Sequence, residues 1–489
     1  MRLVLLTLAV SLLLRAQPAG QIGERLTANG LKADVSFLAS DALQGRATPS
    51  PGQDIAAEYI AAQFRRAGLE PAGDDGYFQT ALYSNVTPNP QGVTLTLGVT
   101  GGGLKAESAM MGIQEPAAAD LSNTATVRVL LDSPAALTAL TPEQVRGKIL
   151  VVELPAQAAP AAGGGRGGNN AVLRRLPAAA SNLGAALVIL LRPNGQGINT
   201  NTRLREALAP AVPILSVWDP EFKNALAAQP EATLSVHLPP PAVVPVKLRN
   251  VVGILRGSDP VLKDTYLLLT AHYDHLGFRE TSPGTDHIFN GANDDASGTA
   301  SVIEIANALA ALPNRPRRSI VFMTQYGEEL GDLGSRYYAQ HPIFPLAKTI
   351  ADVNLEQLGR TDDTQGPRVG QFNLTGFDFT NISTLLAKAG EVTGIKAVKD
   401  EKNSDPYFTR SDNAAFAAAG VPSTTLSVAY DFPDYHKAGD EWQKIDYENM
   451  AKVDVTIALA ALDIANSDVL PEWNSGNPAT AQFVKARAH

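Results

Sequence analysis

The sequence predicts an α/β fold, a mixed and mostly parallel sheet flanked by helices, with a β-rich domain inserted in it. Three observations predict this. Apolar runs at Tyr266–Thr270, Ser319–Thr324, Ile350–Leu355 and Ser423–Val428 have the length and composition of buried parallel strands. Between the first two, Ala300–Leu312 is apolar at helical spacing until Pro313 and Pro316 end it. From about Val93 to Leu238 the texture changes to short β-rich runs separated by Gly, Pro and Ala, and Pro239-Pro240-Pro241 marks the exit.

Composition narrows the class. A chain of 489 residues, 45% hydrophobic and 18% charged, is globular, exceeds one domain by length, and has core enough to need no staples. The net charge of −9 comes with no basic stripe, which argues against nucleic acid as a partner, because phosphate binding needs clustered Lys and Arg. Zero cysteines leave His, Asp and Glu as the available metal ligands. Arg2 followed by the apolar run Leu3–Leu14 matches a signal-peptide core and is too short to span a bilayer of ~30 Å. Small residues at Ala16, Ala19 and Gly20 offer cleavage sites, so residues 1–20 read as a signal peptide and the mature protein as exported, without a transmembrane span.

The chemistry sits at three junctions where apolar runs turn into loops or helices. A strand ending near Thr270 would deliver His272 and Asp274 to the carboxyl edge of a sheet, where such folds put their ligands. These two residues share a face of an extended backbone, and a metal-binding His usually has its other ring nitrogen held by a carboxylate, a part that Asp274 suits. Asp294 and Asp295 stand in a Gly/Asn/Ser-rich loop before the helix, where a carboxylate can bridge two cations. Glu328 and Glu329 follow the next strand. Adjacent carboxylates point different ways, so one can bind metal while its neighbour holds a water, a division that suits metal-assisted hydrolysis. Taken singly, each cluster also reads as something plainer: a His-Tyr-Asp surface turn, or acids placed favourably at a helix N-terminus.

The order His272-x-Asp274, Gly291-Ala-x-Asp294-x-x-Ser-Gly298, Glu328-Glu329-x-Gly-x-x-Gly-Ser335, Asn354-Leu355-Glu356 and Tyr435-His436 resembles the co-catalytic zinc aminopeptidases, the family that includes glutamate carboxypeptidase II, transferrin receptor and glutaminyl cyclases. The resemblance covers about half the chain and implies the zinc exopeptidase fold with two zinc ions. One would be held by Asp294, Glu329 and His436, the other by His272, Asp294 and Glu356, with Asp294 bridging. It further implies Glu328 as general base, Asp274 as the partner of His272, Tyr435 as a donor to the tetrahedral intermediate, and a cis peptide at Asp294-Asp295. Two positions depart from the family pattern. Glu356 stands where aspartate is usual, so its metal is the less secure, and Asn413 stands where histidine is frequent and receives no role. His275 and His287 lie close to the motifs but do not fit them, and His237, His341 and His489 read as structural.

The remaining chain divides as 21–92, a helical N-terminal part of the peptidase domain; 93–241, the insertion; 242–470, the zinc peptidase domain; and 471–489, a tail poorly ordered at its end. In the first part Leu31–Leu38 and Ile55–Ala67 read as helices, the second stopped by Gly68. Arg46 reads as a turn cap rather than a substrate contact. In the insertion, Val127–Leu131, Lys148–Val152, Ala186–Leu191 and Val212–Val217 are strand-like, and Ala156–Asn170 is low-complexity loop. Arg146-Gly147-Lys148-Ile149 and Leu183-Gly184-Ala185-Ala186 resemble the protease-associated domain often carried by these peptidases. Beyond the strand Asn250–Leu255, helices are expected at Thr380–Gly390, Ala414–Ala419 and Tyr447–Ile464. The readings this leaves open are an aminopeptidase acting on peptides, a glutaminyl cyclase or carboxypeptidase on the same scaffold, and a non-catalytic binding module. A carboxypeptidase needs a cation for the terminal carboxylate, and Arg410 is the candidate.

Overall fold

Seven strands carry the site: β1 (Ala242–Leu255), β2 (Tyr266–His272), β3 (Ser319–Gln325), β4 (Thr349–Leu355), β5 (Gln371–Leu374), β6 (Lys396–Val398) and β7 (Ser423–Ser427). They lie in the order β6-β5-β7-β4-β2-β3-β1. The centre is parallel, with β2 paired to β3 and β4, and β4 to β7. β1 joins β3 antiparallel and β5 joins β7 antiparallel, which makes the sheet mixed. Every residue of β2, β3, β4 and β7 is buried, as expected of parallel strands covered on both faces. The computed structural model describes residues 18–99, 102–131, 133, 135–154, 169–193, 202–206, 212–229, 231–282 and 284–487. The run Leu3–Leu14 and nearly all of the Ala/Gly segment 156–170 therefore lie outside the described residues.

The chain forms two units, one built from residues up to Ala81 together with Leu248 onward, the other from Leu82–Lys247. In the first, helices α1 (Ala28–Leu38), α2 (Pro51–Ala67), α3 (Gly298–Ala310), α4 (Leu333–Gln340), α5 (Ile382–Thr393), α6 (Asn413–Ala418), α7 (Tyr447–Asn466) and α8 (Ala481–Arg487) accompany the sheet. α2 starts where Ser50 accepts the Gln53 N–H, with Pro51 in its first turn, and it stops at Gly68 with φ 75°. α3 buries Val302, Ile303, Ile305 and Leu309 among its residues, each such side chain stabilising the fold by about 1.5–3 kcal/mol. The described part of the tail packs on the domain, and residues 488 and 489, at its end, lie outside the described residues. Trp473 stacks on Phe483 of α8 at 4.9 Å, and both lie against Phe408.

The second unit has its own eight-stranded sheet, ordered Gly102–Lys105, Thr94–Val99, Thr233–Leu238, Ala119–Leu130, Ile149–Glu153, Leu187–Leu191, Ile214–Val217, Met111–Glu115. Alternate residues face opposite ways along a strand. Thus Ile149, Val151, Leu187 and Ile189 join Phe222 and Leu226 of the helix Pro220–Ala227 in one core, while Leu150, Val152, Val188 and Leu190 join Leu176, Ala180 and Leu183 of the helix Asn169–Leu183 in another. That second helix has Pro177 inside it. That proline, with the Gly-rich run before the helix, hides it from a sequence reading.

Candidate metal centre

Register brings the motifs to one edge. His272 is the last residue of β2 and pairs with Gln325, the last of β3. Thr270 pairs with Asn354, and Leu355 with Leu426. The segments that follow these four strands therefore start side by side, and they carry Asp274, Glu328 and Glu329, Glu356, and Tyr435 and His436. The loop before α3 adds Asp294 and Asp295, joined by a cis peptide. Two glycines allow the close approach. A Cβ on Gly291 (φ 58°) would stand 2.2 Å from the Asp294 carbonyl and 2.4 Å from the His275 ring, and one on Gly298 would stand 2.1 Å from the Leu355 carbonyl.

The eight residues singled out in the sequence come together as one cluster. His272, Asp294 and Glu356 each offer a ligand atom within 4.8 Å of the others, and so do His275, Asp294 and Glu329. His272 Nε2 is 3.3 Å from one oxygen of Asp294, and His436 Nε2 is 3.2 Å from the other and 3.3 Å from Glu329 Oε1. Buried polar atoms normally have hydrogen-bond partners, yet His272 Nε2, His275 Nδ1, Glu329 Oε1 and Glu356 Oε2 have none. Orphaned donor atoms of imidazoles and carboxylates, converging on one place, fit divalent metal with nitrogen and oxygen ligands. The two adjacent glutamates point to different partners. Glu329 turns toward His436, while Glu328 Oε2 lies 4.0 Å from His272 Nε2.

A supporting layer fixes the ligands. Asp274 lies 3.5 Å from His272 Nδ1, takes the Thr48 hydroxyl at 2.9 Å, and takes the backbone N–H of Glu328 at 3.2 Å. Tyr435 stacks on the His436 ring at 4.0 Å. Asn413 is a structural tie, donating to the Phe408 carbonyl and accepting from Thr425. Arg46 neither faces substrate nor caps a single turn. Fully buried, its guanidinium donates to the carbonyls of Leu38, Tyr273, Asn290 and Gly291, which pins two ligand-bearing segments at once.

Two participants escaped the sequence reading. His275 is buried, with Nδ1 2.8 Å from Glu329 Oε1 and 3.9 Å from Asp294 Oδ2. Its place beside His272-x-Asp274 is the signal, but the family pattern has no slot for it. Asp440 accepts the backbone N–H groups of Asn293 and Asp294, while its own carbonyl takes that of Ala292. Its signal is its position four residues after His436, on the same loop.

Electrostatics follow from crowding acids in a buried place. Burial, with Glu356, Glu329 and Asp412 nearby, holds the Glu328 carboxyl well above the usual range against the pull of His272. Burial and the charges of Asp294 and Glu329 likewise push Glu356 up to about 7. Burial alone would raise Asp294, but the imidazoles of His272, His436 and His275 outweigh it and hold it well below. Burial and Asp294 would raise Glu329 too, and His275 and His436 instead hold it at about 2. His436, which burial would lower, is raised to about 9 by Asp294 and Glu329. A cation held there would relieve this repulsion.

Comparison with known proteins agrees with the cluster. Residues 250–461 match the family described as Peptidase family M28. The chain is 29% identical over 245 residues to the probable glutamate carboxypeptidase VP8 of Zea mays, covering 46% of this chain and 32% of the relative. It is 26% identical over 285 residues to aminopeptidase YwaD of Bacillus subtilis strain 168, covering 55% of this chain and 57% of the relative. This chain thus spans only part of the length of the curated relatives it matches. Among solved structures, an aminopeptidase from Aneurinibacillus sp. strain AM-1 is similar in fold, with a TM-score of 0.51 at 22% identity, covering 91% of this chain and 95% of that one. The cluster thus lies within residues 250–461, the stretch that matches peptidase family M28.

Proposed function

We propose that the protein is an exported zinc-dependent exopeptidase that removes N-terminal residues from peptides. The observation that carries this reading is the pair of ligand groups sharing Asp294, with the carboxylate of Glu328 beside them. His272, Asp294 and Glu356 would hold one zinc, and Asp294, Glu329 and His436 the other. Bound there, zinc supplies Lewis-acid polarisation and acidifies water. Glu328 takes the proton of the attacking water and later delivers it to the leaving amine, a task that needs a carboxyl with a raised affinity for protons. Burial among other acids supports that role. Asp274 orients His272 through its Nδ1 side, and the Tyr435 hydroxyl donates to the oxyanion of the tetrahedral intermediate. Burial, together with Asp294 and Glu356, raises the Tyr435 hydroxyl above its usual range and keeps it protonated as a donor.

Export rests on Arg2 and the run Leu3–Leu14, and no described helix is long and apolar enough to cross a membrane. Residues 93–241, within the unit Leu82–Lys247, we read as a protease-associated domain, on the segments around Lys148 and Leu183 that resemble one. A carboxypeptidase on the same scaffold is the second reading, favoured by Arg410. Its guanidinium stacks on Tyr407 at 4.2 Å, and the nearby Tyr435 and Glu356 add to its hold on its proton against the effect of burial. One peptide in three forms separates the readings. N-terminal acetylation should abolish release of amino acid by the zinc-loaded protein, and C-terminal amidation should not. The reverse dependence would identify a carboxypeptidase, and loss of ammonia from an N-terminal glutamine without hydrolysis a cyclase.

A further inference from the structure

We propose that His275 is itself a metal ligand, through Nδ1, at the position shared by Asp294, Glu329 and His436. The inference deepens the zinc reading above and rests on it. His275 lies outside the five ligands the motifs assign, but its surroundings leave it little else to do. Its side chain is buried, and neither ring nitrogen has a hydrogen-bond partner. Nδ1 is 2.8 Å from Glu329 Oε1 without the geometry of a hydrogen bond, and Glu329 Oε1 is itself unpartnered. Two atoms that approach so closely while both remain unsatisfied share a third partner, as two ligands of one ion do. His436 reaches the same two carboxylates through Nε2, and the two imidazoles meet edge to face with centroids 5.7 Å apart.

The consequence is an asymmetric pair. His275, Asp294, Glu329 and His436 make four protein ligands, the number that closes a zinc site, while His272, Asp294 and Glu356 make three and leave a position open, as catalytic zinc sites do. His272, Asp294 and Glu356 would thus hold the ion with a position left for water and substrate, next to Glu328, whose Oε2 is 4.0 Å from the His272 ring. The ion held by His275, Asp294, Glu329 and His436 would then be the tighter of the two, and the one at Glu356 the labile one.

X-ray absorption on the wild-type protein loaded with zinc reads the ligand set directly. His275 ligation gives three imidazoles over two zinc ions, against two imidazoles if His275 is not a ligand. The second measurement uses His275→Ala, with His287→Ala as control, because His287 hydrogen-bonds to Ser282 away from the ligands. At saturating cobalt the visible spectrum of one of the two ions should change in His275→Ala and be restored by free imidazole. Zinc affinity at that position, measured by chelator competition, should fall at least about tenfold, with the other ion unaffected. Two imidazoles by X-ray absorption, or an unchanged cobalt spectrum at saturation, would overturn the proposal and leave His275 merely packing against Glu329. Absence of any tight zinc in the wild type would instead overturn the zinc reading itself.

Discussion

Glu328 and Glu356 separate chemistry from metal binding. Glu328→Ala should retain zinc and lose activity by about 10²- to 10⁴-fold, the usual worth of a positioned general base. Elemental analysis beside a turnover assay checks this, and an active variant would remove Glu328 from that role. Glu356→Ala should lower bound zinc by about one equivalent, and unchanged stoichiometry would show that Glu356 is no ligand. The longer side chain at this position does not keep the carboxylate out of the cluster, since Glu356 stands with His272 and Asp294 within ligand reach. Arg46 belongs to the same scale. Arg46→Ala takes the guanidinium from the buried carbonyls of Leu38, Tyr273 and Asn290, while Gly291 keeps the Ala296 N–H, and each unsatisfied group costs about 1–3 kcal/mol. Denaturant unfolding should therefore show a loss of about 3 kcal/mol or more. The motif residues were legible because side-chain chemistry and spacing are written in the chain. His275 and Arg46 were not, because their partners lie far off in sequence or depend on which way a loop turns.

At the scale of the element, β4 carries a cost that pH exposes. Asp352 is fully buried, hydrogen-bonded to Thr270, and pushed by burial up to about 8. Its carboxyl keeps a proton in the folded chain up to about pH 8, but in the unfolded chain only up to about pH 4. Its contribution to stability is thus fully present below about pH 4 and declines by roughly 1.4 kcal/mol per pH unit until the folded carboxyl ionises near pH 8. Asp352→Asn should flatten that slope and raise the melting temperature at pH 8. An unchanged pH profile would refute the buried, protonated state. The strands β2, β3, β4 and β7 were legible within a residue or two, because continuous apolar runs bounded by polar clusters have few other readings. Helix ends were less so: α5 begins at Ile382 and runs to Thr393, past the Gly390 at which the apolar pattern fades. The helix Asn169–Leu183 escaped because Pro177 inside it and the Gly-rich run before it read as helix breakers.

At the scale of the molecule, the site depends on strands whose ends align, and that alignment is not written locally. Pairing of Thr270 with Asn354 and of His272 with Gln325 is decided by which apolar run packs beside which. The ordered motifs betrayed it because four of the five stand at or beyond the end of a strand of this sheet, while the Asp294 loop leads into α3. The central claim is that the aligned ends hold a pair of metal ions, and the direct test is tightly bound zinc per mature chain, by elemental analysis after dialysis against a zinc-buffered solution. About two equivalents are predicted. One equivalent would contradict the paired centre and point toward the cyclase reading, and none would contradict the peptidase reading altogether.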